Sequence, residues 1–368
     1  MMSPPRKRRM PLSLLVVGLM LLAVVLAACA DRSPGAQSPA VRSPAAPPPA
    51  AVTVSKGSFR GWDALFLRNR AAEVTVVPAI GRIMQIALRK RDGVGDDAGG
   101  HGPFWSHPGI GPDLGGDENG WINLGGDKAW PAPQSRWEAI VGTGWPPPKT
   151  FDASLFEAKI VGGGGGAGDV GDKVEILSAV DPAYGVRVRR TIALDPAAPV
   201  VTIETSYEKV EGAPIRVGVW TITQLASPER LFMRLPARSS FPGGFAQRLP
   251  DRPKDLTVVG RLLSLARDPA AKTMLGSDGD ALLWVGERVD LLIETVADAH
   301  DPSGEWPDGA HAQIYTSSDE ALPYVELELF SPLRDLGLGE RASLRVRYTL
   351  QARTKADPTA EAKWMLGV

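Results

Sequence analysis

Val186-Arg187-Val188-Arg189, Val201-Thr202-Ile203-Glu204-Thr205 and Leu344-Arg345-Val346-Arg347-Tyr348 alternate apolar and polar side chains residue by residue. In an extended chain, successive side chains point to opposite faces. Such a run therefore buries one row and wets the other. Glu73–Val77, Ile215–Gln224 and Ala312–Thr316 read the same way. Turn signals separate the runs at Asp181-Pro182, Asp195-Pro196, Gly212-Ala213-Pro214 and around Gly337 and Gly339. No long helical periodicity competes, and helix is expected only in short pieces, one near Leu256–Ala266. Many close antiparallel strands make an all-β protein, a large two-sheet antiparallel sandwich or a barrel. No linker composition interrupts the chain after Val52. One sandwich domain is expected over 52–355, with a C-terminal tail at 356–368.

Composition agrees and excludes several functions. Of 368 residues, 40 are Gly and 33 Pro, which suits a turn-rich β body and not a helical bundle. A single Cys rules out an internal disulfide framework and a multi-thiolate zinc site, and 4 His leave little for an imidazole metal centre. No metal or cofactor is expected. A net charge of −1 argues against nucleic acid as a partner.

The N-terminus reads as an address. Arg6-Lys7-Arg8-Arg9 precedes an uncharged, mostly apolar run from Leu12 to Ala28. The run ends Leu26-Ala27-Ala28-Cys29, which resembles the bacterial lipobox, where the Cys becomes the lipidated first residue. Residues 1–28 are thus read as a lipoprotein signal peptide, against the alternative of an uncleaved single-span anchor. Both place the body outside the cytoplasm, in the cell envelope facing the periplasm, with the membrane reached through the N-terminal lipid. Ala30 in place of Asp after the Cys points to the outer membrane, as in enterobacterial sorting. Residues 29–51, rich in Pro, Ala and Ser, cannot bury a core and read as a tether. Without the first 28 residues the chain holds 37 bases against 42 acids, so the body is mildly acidic.

Two loops stand out. Gly162–Gly166 lacks the Lys-Ser/Thr and helix of a phosphate loop and reads as a hairpin tip. Asp92–Gly120 is long and carries Asp96, Asp97, Asp113, Asp117 and Glu118, without EF-hand spacing. His101 and His107 in the same loop have no helical spacing that would make them a metal pair.

The most informative segment is Asn119 to Trp137, reading Asn123-Leu124-Gly125-Gly126-Asp127-Lys128-Ala129-Trp130-Pro131-Ala132-Pro133-Gln134 at its centre. Trp121, Trp130, Trp137 and Trp145 put four of the chain's 10 Trp in a short stretch. Indole faces beside fixed polar groups suit a sugar ring, whose C–H face stacks while its hydroxyls bond to polar side chains. The same Trp-Pro-x-Pro run also suits a rigid packed corner. Late in the chain, Glu326 and Glu328 alternate with Val325, Leu327 and Leu329. The two carboxylates therefore share a face and need a partner, Lys128 or Arg82, or an exposed edge.

The Asn123–Gln134 run resembles the signature of a bacterial family, domain of unknown function 4380. Val77-Pro78-Ala79-Ile80-Gly81-Arg82-Ile83-Met84, Val219-Trp220-Thr221-Ile222-Thr223-Gln224 and Tyr324–Leu333 followed by Leu338-Gly339-Glu340 agree with it, over about Phe59 to Arg353. That family in turn resembles galactose-mutarotase-like proteins. The resemblance implies a β-supersandwich and a carbohydrate ligand. Mutarotases pair a His acid with a late-strand Glu base. Here the strand that would carry the His, Val219–Gln224, has none, and Leu124-Gly125-Gly126 lacks the His of a His-Gly-Gly element. Lys128, Lys272 and Tyr315 are the candidate replacements. Standard aldose epimerase chemistry is therefore not expected.

The candidate catalytic residues are Glu328 and Glu326. The candidate substrate-binding residues are Arg82, Asn123, Asp127, Lys128, Trp130, Gln134, Trp220, Gln224, Lys272 and His311, and Cys29 is the lipidation site. Three readings remain open: a carbohydrate-binding envelope lipoprotein, a sugar-active enzyme with Glu328 as base, and a structural lipoprotein whose Trp cluster is only core.

Overall fold

The computed structural model describes residues 52–89, 102–117, 119–162, 171–296 and 304–368. The signal and tether (1–51, with Cys29), His101, Asp96, Asp97, Glu118 and Gly163–Gly166 lie outside them.

The chain first lays down β1 (Thr53–Phe59), β2 (Trp62–Arg68), β3 (Ala72–Val77), β4 (Arg82–Leu88) and β5 (Asp127–Ala132) in one sheet. The short helices α1 (Trp137–Val141) and α2 (Lys149–Asp152) follow. Next come β6 (Phe156–Val161), β7 (Lys173–Asp181), β8 (Val186–Leu194) and β9 (Val200–Lys209) of a second sheet. The first sheet resumes with β10 (Ile215–Ala226) and later gains β12 (Ala246–Gln247), β15 (Thr273–Ser277), β18 (Ala312–Thr316), β19 (Tyr324–Phe330) and β20 (Arg334–Leu336). The second gains β11 (Arg230–Arg234), β13 (Thr257–Val259), β14 (Leu262–Leu265), β16 (Ala281–Val285), β17 (Val289–Thr295) and β21 (Arg341–Ala352), and α3 (Pro358–Leu366) ends the chain.

Hydrogen-bonding order is β1-β2-β3-β4-β5-β10-β19-β18-β15-β12 in the first sheet, with β20 beside the start of β10. It is β13-β14-β11-β16-β17-β21-β9-β8-β7-β6 in the second. The pairings are antiparallel throughout. This is the two-sheet sandwich that the alternation predicts. Strands β8, β9 and β21 carry the buried–open pattern their sequences spell out. One hydrophobic cluster, from Val74 and Ile83 through Ile203, Leu291 and Val346, fills the space between the sheets. By contrast, β10 and β5 are almost wholly buried on both faces. Packing a central strand from both sides erases the wet row, so alternation weakens there.

Two expectations change. The expected helix at Leu256–Ala266 is the hairpin β13–β14, paired Val259 to Leu262. Gly260 turns it at φ +62, a left-handed conformation favourable to glycine, and Leu263 and Leu265 are buried against β11. Residues 356–368, read as a tail, carry α3. Asp357 caps this helix by accepting from the Thr359 and Ala360 amides at 3.0 and 3.2 Å. Its Ala362 and Leu366 pack with Phe232, Leu283 and Leu292 on the outer face of the second sheet.

Under α3, buried Asp290 of β17 faces buried Glu361. Glu361 accepts the Lys355 amide at 2.7 Å and the Thr354 hydroxyl at 3.0 Å. Burial and the neighbouring Glu361 push the Asp290 carboxyl up to about 7, against the pull of Arg353. A raised carboxyl is protonated in the folded state when it is already ionised in the unfolded chain. The stability this gives at low pH is lost as pH rises from the ordinary carboxyl range through 7. Asp290→Asn is therefore expected to stabilise the protein relative to the wild type at pH 8 by on the order of 1–2 kcal/mol, and by much less at pH 5. Urea denaturation at the two pH values checks it. An equal effect at both would remove Asp290 as the titrating group.

Candidate functional site

Register places the candidate residues. In the first sheet, Ile222 of β10 stands opposite Lys128 of β5 on one side and Glu328 of β19 on the other. One rung away, Trp220 faces Trp130 and Phe330, and Gln224 faces Glu326. Beyond β19, Gln313 and Tyr315 of β18 stand opposite Glu328 and Glu326. Directly opposed residues share a face. Lys128, Trp130, Trp220, Gln224, Gln313, Tyr315, Tyr324, Glu326 and Glu328 thus lie on the face of the first sheet turned away from the second. The main chain approaches this face closely at Gly126. There φ is +72, and an added Cβ would meet the Ile83 carbonyl oxygen at 2.6 Å.

Glu328 is fully buried. Its Oε2 accepts from Trp220 Nε1 at 2.8 Å and from Gln313 Nε2 at 3.1 Å, while its Oε1 has no partner among the described residues. Glu326 lies 3.7 Å from Lys128 Nζ, an ion pair too long for a hydrogen bond. The ammonium stands 4.8 Å from the Trp130 ring centroid. Burial and the nearby Glu326 charge push Glu328 up to about 8, although Trp220 and Gln313 favour its ionised form. Burial also raises Glu326, against the opposing pull of Lys128, Gln224 and Arg82. Burial lowers Lys128 to about 8, with Glu326 opposing. An acid and an amine driven toward neutrality side by side can hold or deliver a proton near neutral pH.

Arg82 is also on this face, but its partner is Asp152 at the end of α2. Arg82 Nη2 donates to Asp152 Oδ1 at 2.7 Å, Nε to the Asp152 carbonyl at 3.1 Å and Nη1 to the Gly125 carbonyl at 2.7 Å. Asp152 also takes Trp130 Nε1 at 2.9 Å and Trp121 Nε1 at 3.0 Å. This carboxylate holds three elements together, and nothing in its local sequence announces it. Asn123 lies beside the Tyr324 hydroxyl, which is itself next to Tyr315 and Glu326. Tyr324 and Gln313 could have been found only by reading the strands in register.

The other predicted residues lie outside this cluster. Asp127 neighbours Lys128 in sequence but points to the opposite face, between the sheets. It forms an ion pair with Arg190 and accepts from Tyr348 at 2.6 Å and from Thr223 at 2.8 Å. A strand cannot aim adjacent side chains at one ligand. Gln134 is exposed beyond β5, its amide 3.5 Å from the Gly144 carbonyl. Lys272, exposed, borders the face: it precedes by two residues the Met274 that stands opposite Tyr315, and its Nζ lies 5.8 Å from the Tyr315 ring. His311, half-buried, stacks on Trp306 at 3.7 Å. Among the described residues no group of three or more His, Cys, Asp or Glu is placed to hold a metal ion.

No protein-family profile and no curated protein matches the chain. Among solved structures it is similar to a putative mutarotase from Salmonella typhimurium, at 8% identity, covering 82% of this chain and 94% of that one, with a TM-score of 0.50. The domain has the galactose-mutarotase-like fold. A galactose mutarotase-like protein from Lactobacillus casei is similar at 9% identity, over 78% of this chain and all of that one, with a TM-score of 0.48. A putative aldose 1-epimerase from Escherichia coli is similar at 15% identity, over 82% of this chain and all of that one, with a TM-score of 0.40. At such identities the likeness is one of fold, and function must be argued from the site. In this mutarotase-like sandwich the β10 residue between Lys128 and Glu328 is Ile222, an aliphatic group with no proton to give.

Proposed function

We propose that this protein is a lipid-anchored cell-envelope protein whose mutarotase-like domain binds a carbohydrate on the Lys128–Glu326–Glu328 face. One observation carries the reading. Lys128 Nζ, Glu328 Oε1, Gln224 Oε1 and Asn123 Oδ1 are all buried without a hydrogen-bond partner among the described residues. Each such atom costs about 1–3 kcal/mol, so a packed structural core would not collect four of them on one face. They form a mixed set of donor and acceptors, which suits hydroxyls that both give and take hydrogen bonds. Trp130 and Trp220, nearly buried, border this set, and the half-buried Trp121 and partly exposed Trp145 that pack beside Trp130 offer apolar ring surface for sugar C–H groups. The anchor rests on the Leu26-Ala27-Ala28-Cys29 run. Mass spectrometry of the N-terminal peptide, seeking a diacylglycerol thioether on Cys29, tests it.

A second reading has its own support. Glu328, raised by burial, lies near an amine lowered by burial, so Glu328 can act as general base on a sugar hydroxyl. Calorimetric titration of the protein with a panel of mono- and oligosaccharides tests the first reading. Glu328→Gln keeps an acceptor oxygen for Trp220 and Gln313. It is expected to fold normally and to weaken sugar binding about tenfold or more. Anomer equilibration followed by NMR separates the two readings. Acceleration by the wild type that Glu328→Gln abolishes makes the protein an enzyme. Binding without acceleration makes it a binding domain. Unchanged affinity in Glu328→Gln would remove this face from the function.

A further inference from the structure

Among the described residues only Trp145 and Trp364 present exposed indoles, Trp145 at 36%. Trp145 belongs to the rim of the face just described. Its ring meets Trp121 at 5.0 Å and Trp130 at 5.9 Å, both near edge-on. Those two rings are pinned by their indole N–H groups to the single carboxylate of Asp152. The backbone is held as well: the Trp145 amide donates to the Thr143 hydroxyl at 3.2 Å, and that hydroxyl donates to the Trp145 carbonyl. Side chains added at Gly142 or Gly144 would meet nothing within 4 Å, nor would one at Gly120 near Trp121. The loop carrying Trp145 is therefore uncovered at these points, and its indole is held in place while facing water.

Keeping a large apolar ring ordered and wet forgoes the free energy of covering it. A fixed exposed indole beside a cluster of polar groups is a platform for a ring with apolar C–H faces. Distance sets what can use it. The Trp130 ring lies 4.8 Å from Lys128 Nζ and 5.9 Å from the Trp145 ring. The sum of those separations is the upper limit on the distance from Lys128 Nζ to the Trp145 ring, a reach that two linked pyranose units can span.

We propose that the site takes an oligosaccharide, with one unit on the polar floor and the next stacked on Trp145; this rests on the carbohydrate reading above. Trp121 supports Trp145 from the side, and Asp152 ties that support to the floor through Arg82 and Trp130. Length selectivity is then built into the rim, separately from recognition of the first unit.

The test titrates the full chain with glucose, mannose and N-acetylglucosamine, and with the β-1,4-linked di- and trisaccharide of each. The expected result is that a disaccharide binds about tenfold or more tightly than its own monosaccharide. In Trp145→Ala that ratio falls to near one, while Trp145→Phe, which keeps an aromatic face, retains most of it. Thermal melts of both variants report folding, and the Phe variant keeps the test decisive if the Ala variant is unstable. A disaccharide no tighter than its monosaccharide, or a gain that survives in Trp145→Ala, overturns the proposal and leaves the carbohydrate reading standing. Absence of binding by every one of these sugars overturns both.

Discussion

Asp127→Ala is expected to destabilise the domain by about 3–5 kcal/mol, the cost of leaving a buried charge without its partner. Asp127 is fully buried, and so, to within 1%, is Arg190. Arg190 reaches from β8 in the second sheet to the Asp127 carboxylate in the first. It also donates to the Asp127 carbonyl at 3.1 Å and to the Thr205 hydroxyl at 3.2 Å. Tyr348 of β21 closes the same group. Burial and the Asp127 charge hold its hydroxyl well above the ordinary tyrosine range, so it stays a donor. Removing the carboxylate strands a guanidinium and a phenol between two hydrophobic layers. Urea denaturation at neutral pH measures the loss. A residue aimed at a ligand would give the opposite pattern, with stability kept and affinity lost. A loss under about 1 kcal/mol would show that Arg190 finds another partner, and would end the account of Asp127 as a tie between the sheets.

Asp152→Ala is expected to cost a similar 3–5 kcal/mol and also to disable the face. Arg82 is completely buried and Asp152 nearly so. Without the carboxylate, Arg82 keeps only carbonyl partners, and the Trp121 and Trp130 N–H groups lose their acceptor. The electrostatic effect reaches Lys128. Arg82 lowers the Lys128 pKa and Asp152 raises it, so the variant drives the amine further toward neutrality. Stability and sugar affinity should therefore fall together here, whereas Glu328→Gln separates them. Urea denaturation and titration of the same sample check both. Retained affinity in a destabilised variant would mean that Asp152 supports the fold without shaping the face.

Legibility of the site followed strand geometry. Glu326 and Glu328 were readable as a pair because residues two apart on a strand share a face. The same rule separates Asp127 from Lys128, once Asp127–Ala132 is known to be a strand. The sequence there reads Asp-Lys-Ala-Trp-Pro-Ala, with no alternation to reveal it, because β5 is buried on both sides. The expected helix at Leu256–Ala266 failed for a related reason. Leucine-rich residues fit helix and buried strand equally, and burial against β11 decided the matter.

From its own residues the chain dictated the class of architecture: repeated alternation and frequent turns leave little but stacked antiparallel sheets. It also dictated that two late carboxylates share a side. Folding alone decided what met them. Lys128 reaches Glu326 across β10, Asp152 gathers Arg82, Trp121 and Trp130 from distant positions, and Asp127 is turned inward to Arg190. Alternation is a property of neighbours along the chain, so a sequence displays it directly. Pairing between strands far apart is set by register and by the cost of burying charge, and those quantities exist only once the sheets are assembled.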